Sequence, residues 1–386
     1  MLFDKKKKLK EMKKVNLLIA LLLIVCQNTA QSQNSETDPD YAKGLQIYYS
    51  GEYTIAVQSF TKAIASNPKN YEAYLYRGNC YAFLHQFKLS ERDFNKAREH
   101  MKNNAKLDFG YGYLYNEMGN YKKAIEYLDK SIELDSKDAL TYNTLGVSYQ
   151  RIGNPRKAIE NYTMAIKYDS TLGVAYSNRG TAIYENQDIA PATSYDIKTA
   201  IRDFDKALKF RPGLCLAWRN RGLAYSFIKK YDQALSDLNQ AIKCSNNDPI
   251  YYINRGTLFT TMGRYPEAIE DLKYAISINK NLPQAYILLG EAFFKNNHTQ
   301  DAVSYEMEAA IIDKSYSGIA DYNIARYYCV SKDKELMMKY LKLAKRNDYF
   351  KPIDNLANFL KDAEFLRFKQ DKDFDEFRQS VRGNRL

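Results

Sequence analysis

Residues 112–131 read GYLYNEMGNYKKAIEYLDKS and residues 146–165 read GVSYQRIGNPRKAIENYTMA. Laid over one another, they place Gly112 on Gly146, Ala124 on Ala158, Leu128 on Tyr162 and Ser131 on Ala165. The same skeleton returns at Gly44 (Ala56, Phe60, Ala63), Gly222 (Ala234, Leu238, Ala241) and Gly256 (Ala268, Leu272, Ala275). It is thinner at Gly78 (Ser90, Phe94, Ala97) and Gly290 (Ala302, Ala309). Successive glycines stand 34 residues apart, except that Gly180 to Gly222 takes 42. This is a strict 34-residue period with one eight-residue insertion. Recurrence at eight anchors excludes chance, and a period of this size marks a stacked repeat.

Each unit holds two helical patterns broken by a turn such as Met118-Gly119-Asn120 or Met262-Gly263-Arg264. The small residues allow the paired helices to approach closely. An aromatic four residues before the glycine (Tyr74, Tyr142, Tyr176, Trp218, Tyr252, Tyr286) is expected to fill the space between units. One such unit cannot bury its apolar face alone, so stacking must supply the core. Composition agrees. The 386 residues exceed what one compact core holds, and a 45% hydrophobic content excludes wholesale disorder. Nine Pro and 17 Gly beside 34 Tyr and 18 Phe are too little turn chemistry for a large all-β protein.

The chain resembles the tetratricopeptide repeat (TPR) family over residues 37–350, in nine units of which the ninth carries Ile324 in place of Gly. The resemblance implies an all-α fold, a right-handed α-solenoid of helical hairpins whose concave groove is lined by the first helix of each unit. Past the array, residues 351–386 carry Leu356, Phe359, Leu360, Phe365, Phe368, Phe374 and Phe377 among charges, and are expected to form helices capping the exposed end. The insertion, at Glu185–Tyr195, is expected to lengthen the turn inside the fifth hairpin.

The net charge of +11 is uneven: residues 1–14 hold seven lysines against Asp4 and Glu11, and residues 15–30 hold no charge. Leu17 to Cys26 is ten apolar residues behind that basic run, too short to cross a bilayer and suited to a signal-peptide core. Residues 1–32 therefore read as a signal, with translation from Met1 or Met12 and cleavage between about Ala30 and Gln33. Two alternatives are lipidation at Cys26, disfavoured by the bulky Val25, and an uncleaved anchor. All three export the remainder to the periplasm, the outer membrane or the medium.

Catalytic patterns are absent. His85, His100 and His298 lie in different units without an i, i+4 partner, and neither a phosphate-binding loop nor a nucleophile elbow occurs. Gly110-Tyr111-Gly112 lacks the third glycine and the preceding strand of a dinucleotide loop. Pairs such as Glu267 and Asp271 read as solvated helix surface. Neither an enzymatic activity, a cofactor nor a metal is expected. Of Cys80, Cys215, Cys244 and Cys329, none forms C-x-x-C. Cys215 opens a hairpin that Cys244 closes. In an oxidising compartment they could pair, but a solenoid needs no staple, so free thiols are expected.

The resemblance assigns the groove to residues six and three before each glycine and one, four and five after it. Across nine units these are acidic at Asp38, Glu72, Glu117, Glu185, Glu291 and Asp321 and basic at Lys106, Arg151, Arg219 and Lys295. No basic stripe suits phosphates, so nucleic acid is excluded as a partner. The N-terminal end is aromatic (Tyr41, Tyr48, Tyr49, Phe83, Phe109, Tyr113) and the middle polar (Asn143, Gln150, Arg151, Ser177, Thr181, Tyr184, Arg219). Asn178, Asn220 and Asn254, each followed by Arg-Gly, are expected to face the groove as donors to a peptide backbone. Asn79 matches one place in the family's chaperone-carboxylate clamp, but Leu75 and Gly110 break the rest of it. The expected role is a non-enzymatic scaffold binding a protein or peptide in the cell envelope. The alternatives are an envelope-polymer-binding accessory protein and a cytosolic regulator.

Overall fold

The computed structural model describes residues 38–185 and 194–382. The signal segment with Cys26, and residues 186–193 of the insertion, lie outside them. Among the described residues there are 21 α-helices and no strand. They form two compact units, divided after Ser136.

The first unit holds three hairpins: α1 (Pro39–Ser50) with α2 (Tyr53–Ser66), α3 (Tyr71–Phe83) with α4 (Phe87–Arg98), and α5 (Ala105–Glu117) with α6 (Tyr121–Leu134). The second begins with α7 (Ala139–Arg151) and α8 (Pro155–Tyr168), then α9 (Gly173–Glu185) and α10 (Ser194–Phe210), then α11 (Cys215–Phe227) and α12 (Tyr231–Cys244). It continues with α13 (Pro249–Thr261) and α14 (Tyr265–Ile278), α15 (Pro283–Lys295) and α16 (Thr299–Ile312), and α17 (Ser317–Val330) and α18 (Lys334–Arg346). Three helices, α19 (Ile353–Lys361), α20 (Ala363–Leu366) and α21 (Lys372–Arg382), follow the ninth hairpin. The two helices of each hairpin pack on one another, and consecutive hairpins within a unit pack through their adjoining helices, which makes the architecture an all-α solenoid.

Local chemistry explains the repeat boundaries. Asn70, Asn104, Asn120 and Asn154 each accept a backbone N–H three residues on, satisfying a donor the helix start leaves open. The described turns inside the hairpins use a left-handed residue, filled by Gly119, Gly153 and Gly263 at φ near 75°, by Gly51 at 84°, and by His85, Lys229 and Asn297 elsewhere. The anchor glycines serve close approach instead. A methyl group at Gly78 would lie 2.6 Å from the Phe94 ring, at Gly112 2.5 Å from Leu128, and at Gly146 2.6 Å from Tyr162. Glycine on the first helix thus receives the large side chain sixteen residues later on the second.

The ninth hairpin departs from the sequence register. Its left-handed turn residue is Lys332, and Met337, Leu341 and Ala344 are the fully buried residues of α18. Counting back makes Ala325, not Ile324, the anchor. The cause is one extra residue in α17, which has 14 where α3, α5, α7, α9, α11, α13 and α15 have 13. Asp321 consequently moves off the groove column and pairs with Asn347 at 2.7 Å, and Tyr322 takes its place.

The aromatics ahead of the glycine do less between units than expected. Tyr142 lies on Tyr168, Tyr176 on Phe210 and Tyr252 on Tyr274, each in its own hairpin, with ring centroids 5.4, 6.0 and 4.6 Å apart. Their polar tips hold the linker that enters the hairpin: Trp218 donates to the Pro212 carbonyl at 2.9 Å, and Tyr252 to that of Asn246 at 3.3 Å.

Contrary to the free-thiol expectation, Cys215 and Cys244 form a disulfide, their Cα atoms 5.5 Å apart. Antiparallel packing brings the first residue of α11 beside the last of α12. The bond closes a stretch of 29 residues. By loop-closure entropy, Cys215→Ser with Cys244→Ser should lower stability by roughly 3 kcal/mol, read as a fall in the urea midpoint that dithiothreitol reproduces in the parent protein. Equal midpoints with and without reductant would refute it.

Candidate functional site

A recurrent bracket sets the face that the first helices present. Arg77, Arg179, Arg221 and Arg255, each just before an anchor glycine, reach across to the second helix of their own hairpin. Their Nε donates to Asp93, Asp203, Asp237 and Asp271 at 2.6–2.7 Å, and Nη2 donates to the other carboxylate oxygen of the same aspartate. The remaining nitrogen reaches the second helix of the preceding hairpin: Thr61 at 3.1 Å, Thr163 at 3.2 Å, Asp205 at 2.6 Å and Asn239 at 2.6 Å. One guanidinium therefore ties three helices in a forked geometry that lysine could not copy. Asp271 is buried in this bond rather than solvated as expected. In the third hairpin Tyr111 and Tyr127 stack at 4.8 Å in the same two places. Sequence reading missed this bracket, although Arg recurs before four of the anchors and Asp follows sixteen residues later in three of them and 24 later in the fifth hairpin.

In the first unit, the candidate aromatics spend much of their surface on each other. Tyr48 meets Tyr53, Tyr76 and Phe83 at 5.8, 5.3 and 6.2 Å, and Phe83 meets Tyr113 at 4.9 Å. Burial pushes the Tyr113 phenol up to about 12. Asn79 lies against Gly110, where a methyl group would come within 2.9 Å of its Oδ1. Tyr49, 73% exposed, meets Tyr48 edge-on at 5.3 Å.

In the second unit the polar residues form a row. Asn178 donates to Asn143 at 3.0 Å, and Asn220 donates to Thr181 at 2.9 Å, so both amides hold the preceding hairpin. Gln150 accepts from Tyr162 at 2.8 Å and donates to Glu185 at 3.2 Å. Arg151 is exposed and Tyr184 half-buried. The row fails at one step. Asn254 stands 35 residues after Arg219, as Asn178 does after Asn143, but Arg219 brings only donors. Arg219 gives Nη1 to Asn220 at 3.1 Å, while its Nε and the Asn254 Nδ2 are buried without an acceptor.

Beside this row run apolar residues that sequence reading passed over. Leu140, Leu216 and Ile250 occupy the place six before the glycine in hairpins four, six and seven, exposed by 50, 57 and 37%, and Val174 fills it in hairpin five. The 34-residue column that gave Asp38, Glu72 and Lys106 contained them too. They escaped notice because only charges were collected from it.

The histidines and remaining cysteines do structural work. His100 stacks on Tyr71 at 4.0 Å, and His85 lies 3.7 Å from Glu117. Burial pushes the Cys80 and Cys329 thiols up to about 12, which keeps them protonated and unreactive. Among the described residues, no group of three His, Cys, Asp or Glu side chains could hold a metal, and no helix is long and apolar enough to cross a membrane.

Hairpins of this size, stacked through glycine-to-large contacts, define a helical-repeat interaction protein. Tetratricopeptide repeat models match residues 59–99, 103–170, 217–248 and 256–297. The chain is a tetratricopeptide repeat protein, and its repeats make it a protein-interaction scaffold; proteins of this fold are in general non-catalytic and bind proteins or peptides. Anaphase-promoting complex subunit 3 of Schizosaccharomyces pombe is 33% identical over 110 residues, which is 27% of this chain and 16% of that protein. In the crystal structure of the APC/C hetero-tetramer Cut9-Hcn1, one chain matches at a TM-score of 0.61 and 15% identity, covering 79% of this chain and 59% of that one. That likeness is one of fold.

Proposed function

We propose that this protein is an exported, non-enzymatic scaffold of the cell envelope that holds a protein or peptide segment on the first helices of hairpins four to seven and tethers or assembles its partners there. The carrying observation is the column Leu140, Val174, Leu216 and Ile250 beside the Asn/Thr/Arg row, with Leu140, Leu216 and Ile250 exposed and Val174 half-buried. Apolar anchors beside fixed hydrogen-bonding groups suit an extended or helical peptide. The unpartnered donors of Arg219 and Asn254 mark where a carbonyl or carboxylate oxygen of the partner would complete the row.

Export rests on the basic run followed by ten apolar residues at the N-terminus, and the Cys215–Cys244 bond is in keeping with an oxidising compartment. The triple variant Leu140→Asp, Leu216→Asp, Ile250→Asp, purified with its helical spectrum intact, is expected to lose at least tenfold in recovery of the envelope protein that the parent chain crosslinks. Equal recovery would refute the assignment. Retention on envelope glycan that Tyr113→Ala abolishes, with no protein crosslinked, would favour polymer binding instead. Fractionation finding the chain only in cytosol would refute export.

A further inference from the structure

Hairpins one to seven place Phe60, Phe94, Leu128, Tyr162, Phe204, Leu238 and Leu272 against the anchor of the first helix, and the ninth places Leu341 there. The eighth places Glu306, which is 0% exposed. Its Cγ and Oε1 would both lie 3.2 Å from a methyl group at Gly290. Oε1 accepts from the Tyr327 hydroxyl at 2.6 Å and from Asn323 Nδ2 at 3.0 Å, both on α17. Oε2 is buried with no partner. Glu291 on α15 and Arg326 on α17 are the charged groups that act on it, with opposite signs. Arg326 is itself drawn away by Asp362 at 3.4 Å and Glu364 at 3.3 Å.

A repeat stabilised only by its neighbours has no reason to bury a carboxyl where every other copy buries a hydrocarbon or an aromatic ring. Ionised, Glu306 would keep a charge in the core with one oxygen lacking a donor; protonated, it buries a neutral acid with two bonds in place. We propose that Glu306 is a proton-operated latch, which ties the ninth hairpin and the C-terminal helices to the eighth hairpin while its carboxyl is protonated and slackens them when the proton leaves. The two donors it holds sit on α17, whose Cys329 and Tyr322 contact α20 and the residue before it: Cys329 donates to the Glu364 carbonyl, and Tyr322 to Asp362 at 3.0 Å. Asn323 also lines an open cleft of about 340 Å³ with Tyr322, Arg326, Tyr349, Lys361 and Asp362, so releasing its amide alters that cleft.

Desolvation pushes the Glu306 carboxyl from an ordinary 4.5 up to about 8, against the bonds from Tyr327 and Asn323. When the hairpin opens, the ordinary value returns. The closed state therefore holds the extra proton, and the latch is complete below about pH 4.5, weakens as pH rises through the interval, and is constant above about pH 8. Within that window each pH unit favours opening by up to about tenfold.

Hydrogen exchange of the full chain, expressed as protection factors at several pH values from about 5 to 9, tests this. Peptides from α17 and α19–α21 should lose at least tenfold in protection between pH 5 and pH 8 and then level off, while those from α11 and α12 stay unchanged. Glu306→Gln and Glu306→Leu should flatten the response, Leu with the higher protection. A response that persists in Glu306→Leu, or its absence in the parent chain, overturns the proposal. Should both variants misfold, the carboxyl resonance of carbon-13-labelled glutamate in the parent decides: one titrating near 8 supports the latch, and all titrating near 4.5 refutes it.

Discussion

Replacing Arg77 with alanine is expected to destabilise the hairpin of α3 and α4 by about 3–5 kcal/mol, because it strands a buried carboxylate. The Arg77 and Asp93 side chains are only 9% and 3% exposed, and the guanidinium also binds Thr61 on the preceding hairpin. Burial alone would lower the arginine's pKa, but its bonds to Asp93 outweigh burial and raise it, so the guanidinium keeps its charge in the fold. Removing both members tells a different story. Arg77→Met with Asp93→Leu deletes the desolvation penalty together with the attraction, and such replacements are often neutral or stabilising. Urea unfolding, with hydrogen exchange reporting α3 and α4 separately, distinguishes the two outcomes. A surface control is at hand: Arg264 and Glu267 pair at 2.8 Å with both side chains 41% exposed, and Arg264→Ala should leave the midpoint unchanged. If Arg77→Ala behaves like Arg264→Ala, the bracket does not hold the hairpins together.

The same comparison shows what the amino-acid sequence discloses and what it hides. Glycine at 34-residue intervals was legible because close helix approach admits no side chain, so the constraint falls on one position and repeats undiluted. The bracket involves two residues, occurs in only some units, and its fifth-hairpin copy is stretched from sixteen residues to 24 by the insertion. A column search for single residues does not find such a pair. The disulfide was hidden for another reason. Whether Cys215 and Cys244 face one another depends on the phase of two helix ends, and Cα atoms 5.5 Å apart follow from packing rather than from spacing. The ninth unit is misread by one residue from sequence because its anchor is alanine; the left-handed turn at Lys332 and the buried Met337, Leu341 and Ala344 fix the register.

For the candidate site, residue type was legible and orientation was not. Asn178 and Asn220 were expected to reach toward a partner, yet each finds an acceptor on the neighbouring first helix, because an amide partly shielded from water takes the partner the stack provides. The side chains left over for recognition are those the stack cannot satisfy or cover: Arg219, Asn254 and the apolar column at Leu140, Leu216 and Ile250.

Phe94→Ala is expected to cost about 3–5 kcal/mol, the range for emptying a buried aromatic site. The ring is 0% exposed and fills a slot made by two glycines: methyl groups at Gly78 and Gly110 would lie 2.6 and 2.9 Å from it. Tyr111 closes the far side, its ring centroid 5.1 Å away. A second substitution turns this into a test of mechanism. In the parent chain Gly78→Ala drives a methyl into the ring and should destabilise by about 1–3 kcal/mol. In the Phe94→Ala background the ring is gone, and the ordinary helical preference of alanine over glycine, about 0.5–1 kcal/mol, should make the same substitution stabilising. The sign of Gly78→Ala therefore reverses with the identity of residue 94, a coupling that additive, independent sites cannot produce. Because neighbouring repeats support one another, the reversal should be strongest in exchange from α3 and α4 and fade by α6. Destabilisation by Gly78→Ala in both backgrounds would mean that glycine is required there by something other than the ring it receives.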